Sequence, residues 1–419
     1  MKRGERLVLV GIVVVVALAL RAAFVAMAVV PEPLRADAGE YARYAHNLVE
    51  HGVYSLATVE PPPPDSFRSP GYPWFLAVCR WLGGDAGWLA LALWLQVALG
   101  AATAAATYAL ARAVVPFWAA LAAALATALS PHLAVASGYV LTEGLTAAAL
   151  TGALALLARA RPHALGRHLL AGLAIGLAVL CNETLLPLAL ALAWPLWRRR
   201  SGRTAAVYAL AALLPFAAWQ VRNQTQELAR AGTARITASI SHGSYPGMVY
   251  RDPRLVGFPY REDPAQPAVG SSWHDLRAVL GPRIAAEPVR YLSWYLLEKP
   301  LWLWRWDLVQ GRGHQVYPAR NDPFESHPVV GAVRTGMAWL HVPVMLLAAA
   351  AALAAVVRPG PRAGGAAGLL GVAAVVGTLV YLPVIPDPRY LQPLRPALFV
   401  LAALAAHTVV ARLRRQPAD

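Results

Sequence analysis

The sequence predicts an all-α polytopic membrane protein, and three observations carry that prediction. Of its 419 residues, 58% are hydrophobic and only 14% charged, whereas a soluble domain has about 45–50% apolar and about 25% charged residues. Apolar runs of membrane length recur along the chain, separated by short polar connections. The charges are also sorted: arginines fill one set of connections and acids the other, which is the pattern that orients membrane helices. The net charge of +15 therefore indicates no nucleic-acid partner, because the basic residues form no single patch. Cys79 and Cys181 lie far apart in apolar stretches and read as two buried thiols, with no disulfide framework.

Residues 7–30 form the first apolar run, behind Met1-Lys2-Arg3-Gly4-Glu5-Arg6. At roughly 24 residues it is long enough to cross a bilayer. It lacks a small-residue cleavage site after a short core, so it reads as a retained anchor with a cytoplasmic N-terminus. The loop 31–86 holds a helical-looking segment from Asp37, the breaker Pro61-Pro62-Pro63-Pro64, and an apolar piece at 72–82. That piece falls well short of the ~20 residues a span needs and is expected to lie along the outer surface.

Further spans are expected at 87–111, 117–136, 138–158, 167–181, 184–197 and 204–221, then at 329–357, 366–385 and 393–411. That makes a bundle of about ten transmembrane helices, ~20 residues being needed for each. Asn182-Glu183 interrupts one pair, which then reads as a hairpin of short helices. The chain divides into a membrane module at 1–221, an external subdomain at 222–328 and C-terminal membrane helices at 329–419. Pro and Gly punctuation in 222–328 predicts an irregular structure. The stretch 291–306 is rich in Trp and Tyr and reads as an interfacial helix.

With the N-terminus inside, the inner connections hold Arg112; Arg159, Arg161 and Arg167; Arg198, Arg199, Arg200 and Arg203; Arg358 and Arg362; and Arg412, Arg414 and Arg415. Only Glu5 and Asp419 of the 22 acidic residues fall on that side. Asp37, Glu40, Glu143, Glu183, Glu298 and Asp387 all fall on the outer face. Both termini are thus expected in the cytoplasm and any acid chemistry on the outside. A carboxylate is costly to keep near lipid, so acids at a membrane face are functional candidates by default.

The stretch organising the chain is Asp37-Ala-Gly-Glu40-Tyr41-Ala-Arg43-Tyr44-Ala45, followed by Arg68-Ser-Pro70-Gly-Tyr72-Pro73. Together with Thr142-Glu143, Trp219-Gln-Val221-Arg222-Asn223 and Pro388-Arg389-Tyr390-Leu-Gln-Pro393, this ordered set resembles the polyprenyl-phosphate-sugar glycosyltransferases. These are glycosyltransferase family 39, the protein mannosyltransferase-like group, and their bacterial relatives with the GT-C fold. The family's paired acids in the second external loop are not matched, since Glu143 has no neighbouring Asp.

The resemblance implies a GT-C-like bundle whose periplasmic loops carry surface helices. It also implies transfer of a sugar from a polyprenyl-phosphate monosaccharide to a hydroxyl of a protein, lipid or envelope glycan, by an inverting displacement at the outer face of the bacterial inner membrane. By resemblance Asp37 is the base that takes the acceptor proton; the other reading is a helix N-cap or a first-turn acid favoured by the helix dipole. Glu40, on the same helical face, is a capping-box partner or an acceptor or metal ligand, and Tyr41 lines the mouth of the site. Glu143 is a second catalytic candidate that faces a cavity near Asp37 and binds the acceptor or a divalent ion, or else pairs with Arg21 or another outer arginine; Glu183 follows the same logic, as an acceptor- or metal-assisting group.

The leaving group is a lipid phosphate, for which fixed cations are the largest stabilisation available. Arg389 with Tyr390, and Arg68, Arg222 and Lys299, are the candidates; their alternative is snorkelling to headgroups. A divalent ion bridging carboxylate and phosphate is a candidate cofactor. No ligand set is evident, however, as His242, His274, His314 and His327 form no close pair. No nucleotide-binding glycine motif occurs. A flippase of lipid-linked sugars is the alternative function. It would need polar residues through the midplane, where these spans are apolar apart from Arg21 and small hydroxyls.

Overall fold

The structure, a computed structural model, describes residues 2–161, 164–199, 201–226, 228–269, 272–357 and 365–414. The described residues are helical apart from turns and two isolated bridges, one of which joins Val29 to Arg320. Helices α1 (Arg3–Met27), α2 (Asp37–His51), α3 (Gly71–Ala111) and α4 (Phe117–Leu129) are followed by α5 (Glu143–Arg159), α6 (Leu165–Cys181) and α7 (Gly202–Thr225). The segment 222–328 contributes α8 (Ala229–Gly243) and α9 (Trp273–Ala286); α10 (Pro328–Val357), α11 (Ala366–Leu379) and α12 (Arg395–Leu413) complete the bundle.

The chain is an integral membrane protein. Five helical stretches among the described residues are long and apolar enough to cross a bilayer, or six if α4 and the helix after it count as one bent span. The apolar helices α6 and α11 are shorter. The expected total of ten is not reached by length and composition alone. The expected inner arginines Arg200, Arg358, Arg362 and Arg415, and Asp419, lie outside the described residues.

Helix α1 buries only the stripe Val13, Ala17, Arg21 and Phe24, spaced by three or four residues as one helix face requires. Its exposed residues, such as Leu7, Val8, Ile12 and Val15, are apolar, as lipid demands. Arg21 is fully buried, and its guanidinium donates to Ala17 O (2.9 Å), Ala128 O (3.2 Å) and Thr127 O (3.2 Å). The last two carbonyls are orphans at the C-terminal end of α4, where the helix dipole favours a cation. The chain bends there by 55° into Pro131–Gly138. Gly100 makes the room: a Cβ on it would sit 2.2 Å from Arg21 Nε. Arg21 is therefore not the partner of Glu143.

In α3, Gly84 adopts φ 61° and ψ −173°, which is costly for any residue with a Cβ. It interrupts the helix between an amphipathic piece and the spanning piece. In the first, Tyr72, Leu76 and Cys79 are buried while Trp74, Val78, Trp81 and Leu82 are exposed. The expected separation of 72–82 from 87–111 thus coincides with a backbone break inside one long helix. Helices α6 and α7 touch through Gly172 and Gly176: a Cβ on Gly172 would meet Tyr208 O at 2.5 Å, and one on Gly176 would meet Pro215 Cγ at 2.9 Å. This is the small-residue packing of membrane helices.

The segment 222–328 is more helical than its proline content predicts. Pro246, Pro253, Pro259, Pro288 and Pro300 each stand at the start of a helical turn, a position that lacks a helical hydrogen bond anyway. The prolines open helices here. The aromatic stretch runs through Pro288–Ser293, a π-turn at Trp294–Glu298 and Lys299–Leu303, with Trp294 fully buried and Leu292, Leu296, Leu297 and Leu301 outward.

Candidate active site

Asp37 opens α2. No side chain caps that helix, so neither a cap by Asp37 nor the capping-box role for Glu40 is found. The carboxylate instead accepts from two arginines: Arg68 Nη2 at 2.7 Å on Oδ1 and Arg389 Nη2 at 3.2 Å on Oδ2. Arg68 precedes α3 and also binds Glu40 through Nε. Arg389 sits in the 3-10 turn Pro388–Leu394, with Asp387 Oδ1 accepting from its backbone N–H at 2.9 Å. Gln310 N donates to Asp387 Oδ2 at 3.1 Å, which ties this turn to the 222–328 segment. Arg389 Nε in turn binds Glu143, the first residue of α5.

Two acids and two arginines thus alternate from Glu143 through Arg389 and Asp37 to Arg68, with Glu40 as a third acid beyond. Burial by itself raises the Asp37 pKa, but the charges of Arg389 and then Arg68, with their hydrogen bonds, outweigh it and hold the carboxyl below its usual value.

Asp37, Arg68, Glu143 and Arg389 line a cavity of about 560 Å³ that also contains Tyr41, Glu183, Arg235 and Tyr390. The Tyr390 ring lies parallel to that of Tyr381, centroids 5.4 Å apart, and Asn182 Nδ2 donates to the Tyr381 hydroxyl at 2.8 Å. Across the cavity Glu183 accepts from Ser69 Oγ at 2.9 Å and pairs with Arg235 at 2.9 Å. Arg235 was not expected from the sequence. Its only signal there is the run Arg235, Ile236, Ser239 and Ile240, which puts one face of α8 on the cavity. Ile236, Ile240, Leu186 and Val380 give the cavity an apolar flank.

Asp37, Tyr41, Arg68, Glu143, Glu183, Arg389 and Tyr390 are therefore brought together, and Glu40 stands one step back behind Arg68. Lys299 and Arg222 are not among the lining residues. Lys299 is fully buried, and its Nζ donates to Leu382 O at 2.5 Å and Val384 O at 2.9 Å. Burial pushes its pKa down to about 6. It buttresses the turn that leads to Arg389. Arg222 donates to Asp65 O at 2.6 Å and lies over the Trp219 ring, 4.7 Å from its centroid.

Among the described residues, no three His, Cys, Asp or Glu side chains converge as a metal site. Asp37 turns both its oxygens to arginines, and Glu143 one of its two. The residues present do not form the donor set expected for a divalent ion. Of the external histidines, His314 pairs with Asp322 at 2.8 Å and His242 stacks on Tyr260.

The family model described as dolichyl-phosphate-mannose-protein mannosyltransferase matches residues 67–221, so the resemblance read from the sequence is found again. No curated protein sequence matches the chain.

Three solved structures share the fold. The Archaeoglobus fulgidus oligosaccharyltransferase tethered to an acceptor peptide containing the NVT sequon aligns at TM-score 0.53 and 15% identity, over 99% of this chain and 50% of that one. The same organism's oligosaccharyltransferase AglB, in complex with an inhibitory peptide and a dolichol-phosphate, aligns at 0.51 and 16%, over 98% and 51%. ArnT from Cupriavidus metallidurans, bound to undecaprenyl phosphate, aligns at 0.50 and 17%, over 97% and 61%. The chain spans about half the length of the oligosaccharyltransferases it matches.

Proposed function

We propose that this protein transfers a sugar from a polyprenyl-phosphate monosaccharide to a hydroxyl of a protein, lipid or envelope glycan, at the outer face of a bacterial inner membrane with both termini cytoplasmic. One observation carries the reading: Asp37 is gripped by Arg68 and Arg389 inside a cavity with an apolar flank. A cation pair around one carboxylate suits a reaction that moves a proton and releases a phosphate. Dolichol-phosphate and undecaprenyl phosphate, bound by two similarly folded proteins, are lipid phosphates of the kind required.

In a single inverting displacement the acceptor oxygen bonds to the anomeric carbon while the bond from that carbon to the phosphate oxygen breaks. The electron pair leaves with the phosphate, whose growing charge Arg68 and Arg389 stabilise in a site shielded from water. The acceptor proton passes to Asp37. A base works best with a pKa near the working pH, and the arginines depress that of Asp37. A phosphate entering between them shares their charge and raises the proton affinity of Asp37 when a base is needed. Tyr41 and Tyr390 wall the sugar, and no step is routed through a metal. The acids and arginines of the cavity form one connected set of ion pairs, which favours an enzyme over a flippase.

The test is sugar transfer from synthetic polyprenyl-phosphate sugars by purified wild type and Asp37→Asn. Transfer by the wild type and its loss in the variant support the reading. Full activity in Asp37→Asn overturns the base assignment, and a wild type inert across the donor panel overturns the function.

A further inference from the structure

Arg68 and Arg389 use their guanidinium groups in the same way. Each turns Nε to a glutamate, Glu40 for Arg68 and Glu143 for Arg389, and each turns Nη2 to Asp37. In both, Nη1 has no hydrogen-bond partner among the described residues, and neither Nη1 is an enclosed atom. A guanidinium is planar, so fixing Nε and Nη2 also fixes the direction of Nη1. The outcome is two parallel devices that aim a free N–H₂ group from opposite sides of Asp37.

The two glutamates do not meet the cavity as reacting groups would. Glu40 is absent from the cavity lining, and its contact with the site is through Arg68. Glu143 touches the cavity, but its second oxygen Oε2 is enclosed and bonded to nothing among the described residues. A hydroxyl cannot reach an enclosed oxygen, and an acceptor-binding or proton-accepting carboxylate needs contact within hydrogen-bond reach. Neither glutamate caps its helix by a side-chain hydrogen bond. Their shared feature is the grip on an arginine Nε.

We infer that Glu40 and Glu143 are positioning residues that orient Arg68 and Arg389 for a phosphoryl group, and that neither takes the acceptor proton nor holds a metal. The assignment rests on the phosphate-binding reading above. It differs from the sequence expectation, which gave Glu143 a catalytic part and Glu40 a part toward acceptor or metal. Supporting groups that fix a binding residue's orientation typically contribute about tenfold or more to ligand affinity.

The experiment compares Gln and Ala at each position in the full-length protein. Both substitutions remove the same charge. Only Gln keeps a side-chain oxygen able to accept from the arginine Nε, so the difference between them reads geometry. Binding of undecaprenyl phosphate in detergent, and kcat and KM for a polyprenyl-phosphate sugar, are measured for each.

The Ala variants are expected to weaken phosphate binding and raise donor KM about tenfold, the loss of one charged hydrogen bond, with a fall in kcat beside it because the same arginines stabilise the leaving phosphate. The Gln variants recover most of that loss. If Gln falls as far as Ala, or kcat falls while KM holds, the carboxylate itself acts and the assignment is overturned. Where Glu143→Ala fails to fold, the Glu40 pair decides, because the Glu40 side chain is 31% exposed and its removal empties no core. A wild type that binds no polyprenyl phosphate overturns the phosphate-site reading and this assignment together.

Discussion

Arg389 lies 352 residues after Asp37, yet its Nη2 reaches Asp37 Oδ2 at 3.2 Å. The contact joins the start of α2 to the turn before the last helix. Arg68, close in sequence to Asp37, closes the other side at 2.7 Å. A charge arrangement of this kind is built by the whole bundle, and its members should fail in different ways when altered.

Asp37→Asn keeps the size of the side chain and an acceptor oxygen for the arginines but removes the proposed base. Turnover at saturating donor should fall by about 10²–10⁴-fold, the usual contribution of a positioned proton acceptor, with donor KM changed far less. Steady-state kinetics in detergent or nanodiscs checks both numbers.

Arg389→Lys keeps the charge and loses the fork. A lysine cannot hold Glu143 and Asp37 while leaving a directed N–H free. Donor KM should rise by about tenfold or more, the worth of one charged hydrogen bond. Titration with undecaprenyl phosphate measures the same loss without turnover.

Gly100→Ala should destabilise the bundle without touching the cavity. The added Cβ would sit 2.2 Å from Arg21 Nε, and the arginine cannot retreat without leaving the carbonyls of Thr127 and Ala128. Overpacking of this kind costs about 1–3 kcal/mol. A lowered thermal midpoint in detergent, with donor KM unaltered, is the expected outcome.

Lys299 gives the fold a pH dependence of definite sign. Its folded pKa of about 6 lies below the ~10.4 of an unfolded lysine, so between these values the unfolded chain binds more protons. This group's contribution to stability therefore rises with pH across that window and is flat below it. Lys299→Met should remove that part of the rise while also losing the two hydrogen bonds to Leu382 O and Val384 O. Thermal midpoints at pH 6, 8 and 10 for both proteins test it.

The sequence is informative where charge meets lipid. An acid such as Glu143 in a Leu, Ala and Thr stretch, or an arginine between prolines such as Arg389, is expensive enough to mark itself. The structure puts both beside Asp37. Lys299 is equally conspicuous as the one lysine besides Lys2, but its use is structural, because its Nζ is satisfied by backbone carbonyls that no sequence pattern announces. Arg222 is held the same way, over Trp219.

Arg235 escaped notice because its meaning lies in Glu183 and Ser69, which are brought to it only by folding. The helices of 222–328 were obscured by prolines that read as breakers until their place at the first turn is known. The interruption at Gly84 was visible only as a run too short to cross the membrane.

Asp387 gives one carboxylate oxygen to the backbone of Arg389 and the other to Gln310. The position of the guanidinium is therefore registered against a stretch of chain outside the bundle. Grafting the 222–328 segment of a relative onto this scaffold would shift that registration. Such a chimera could assemble in the bilayer and still present its arginine at the wrong angle, unless its backbone N–H at position 310 returned to the same place.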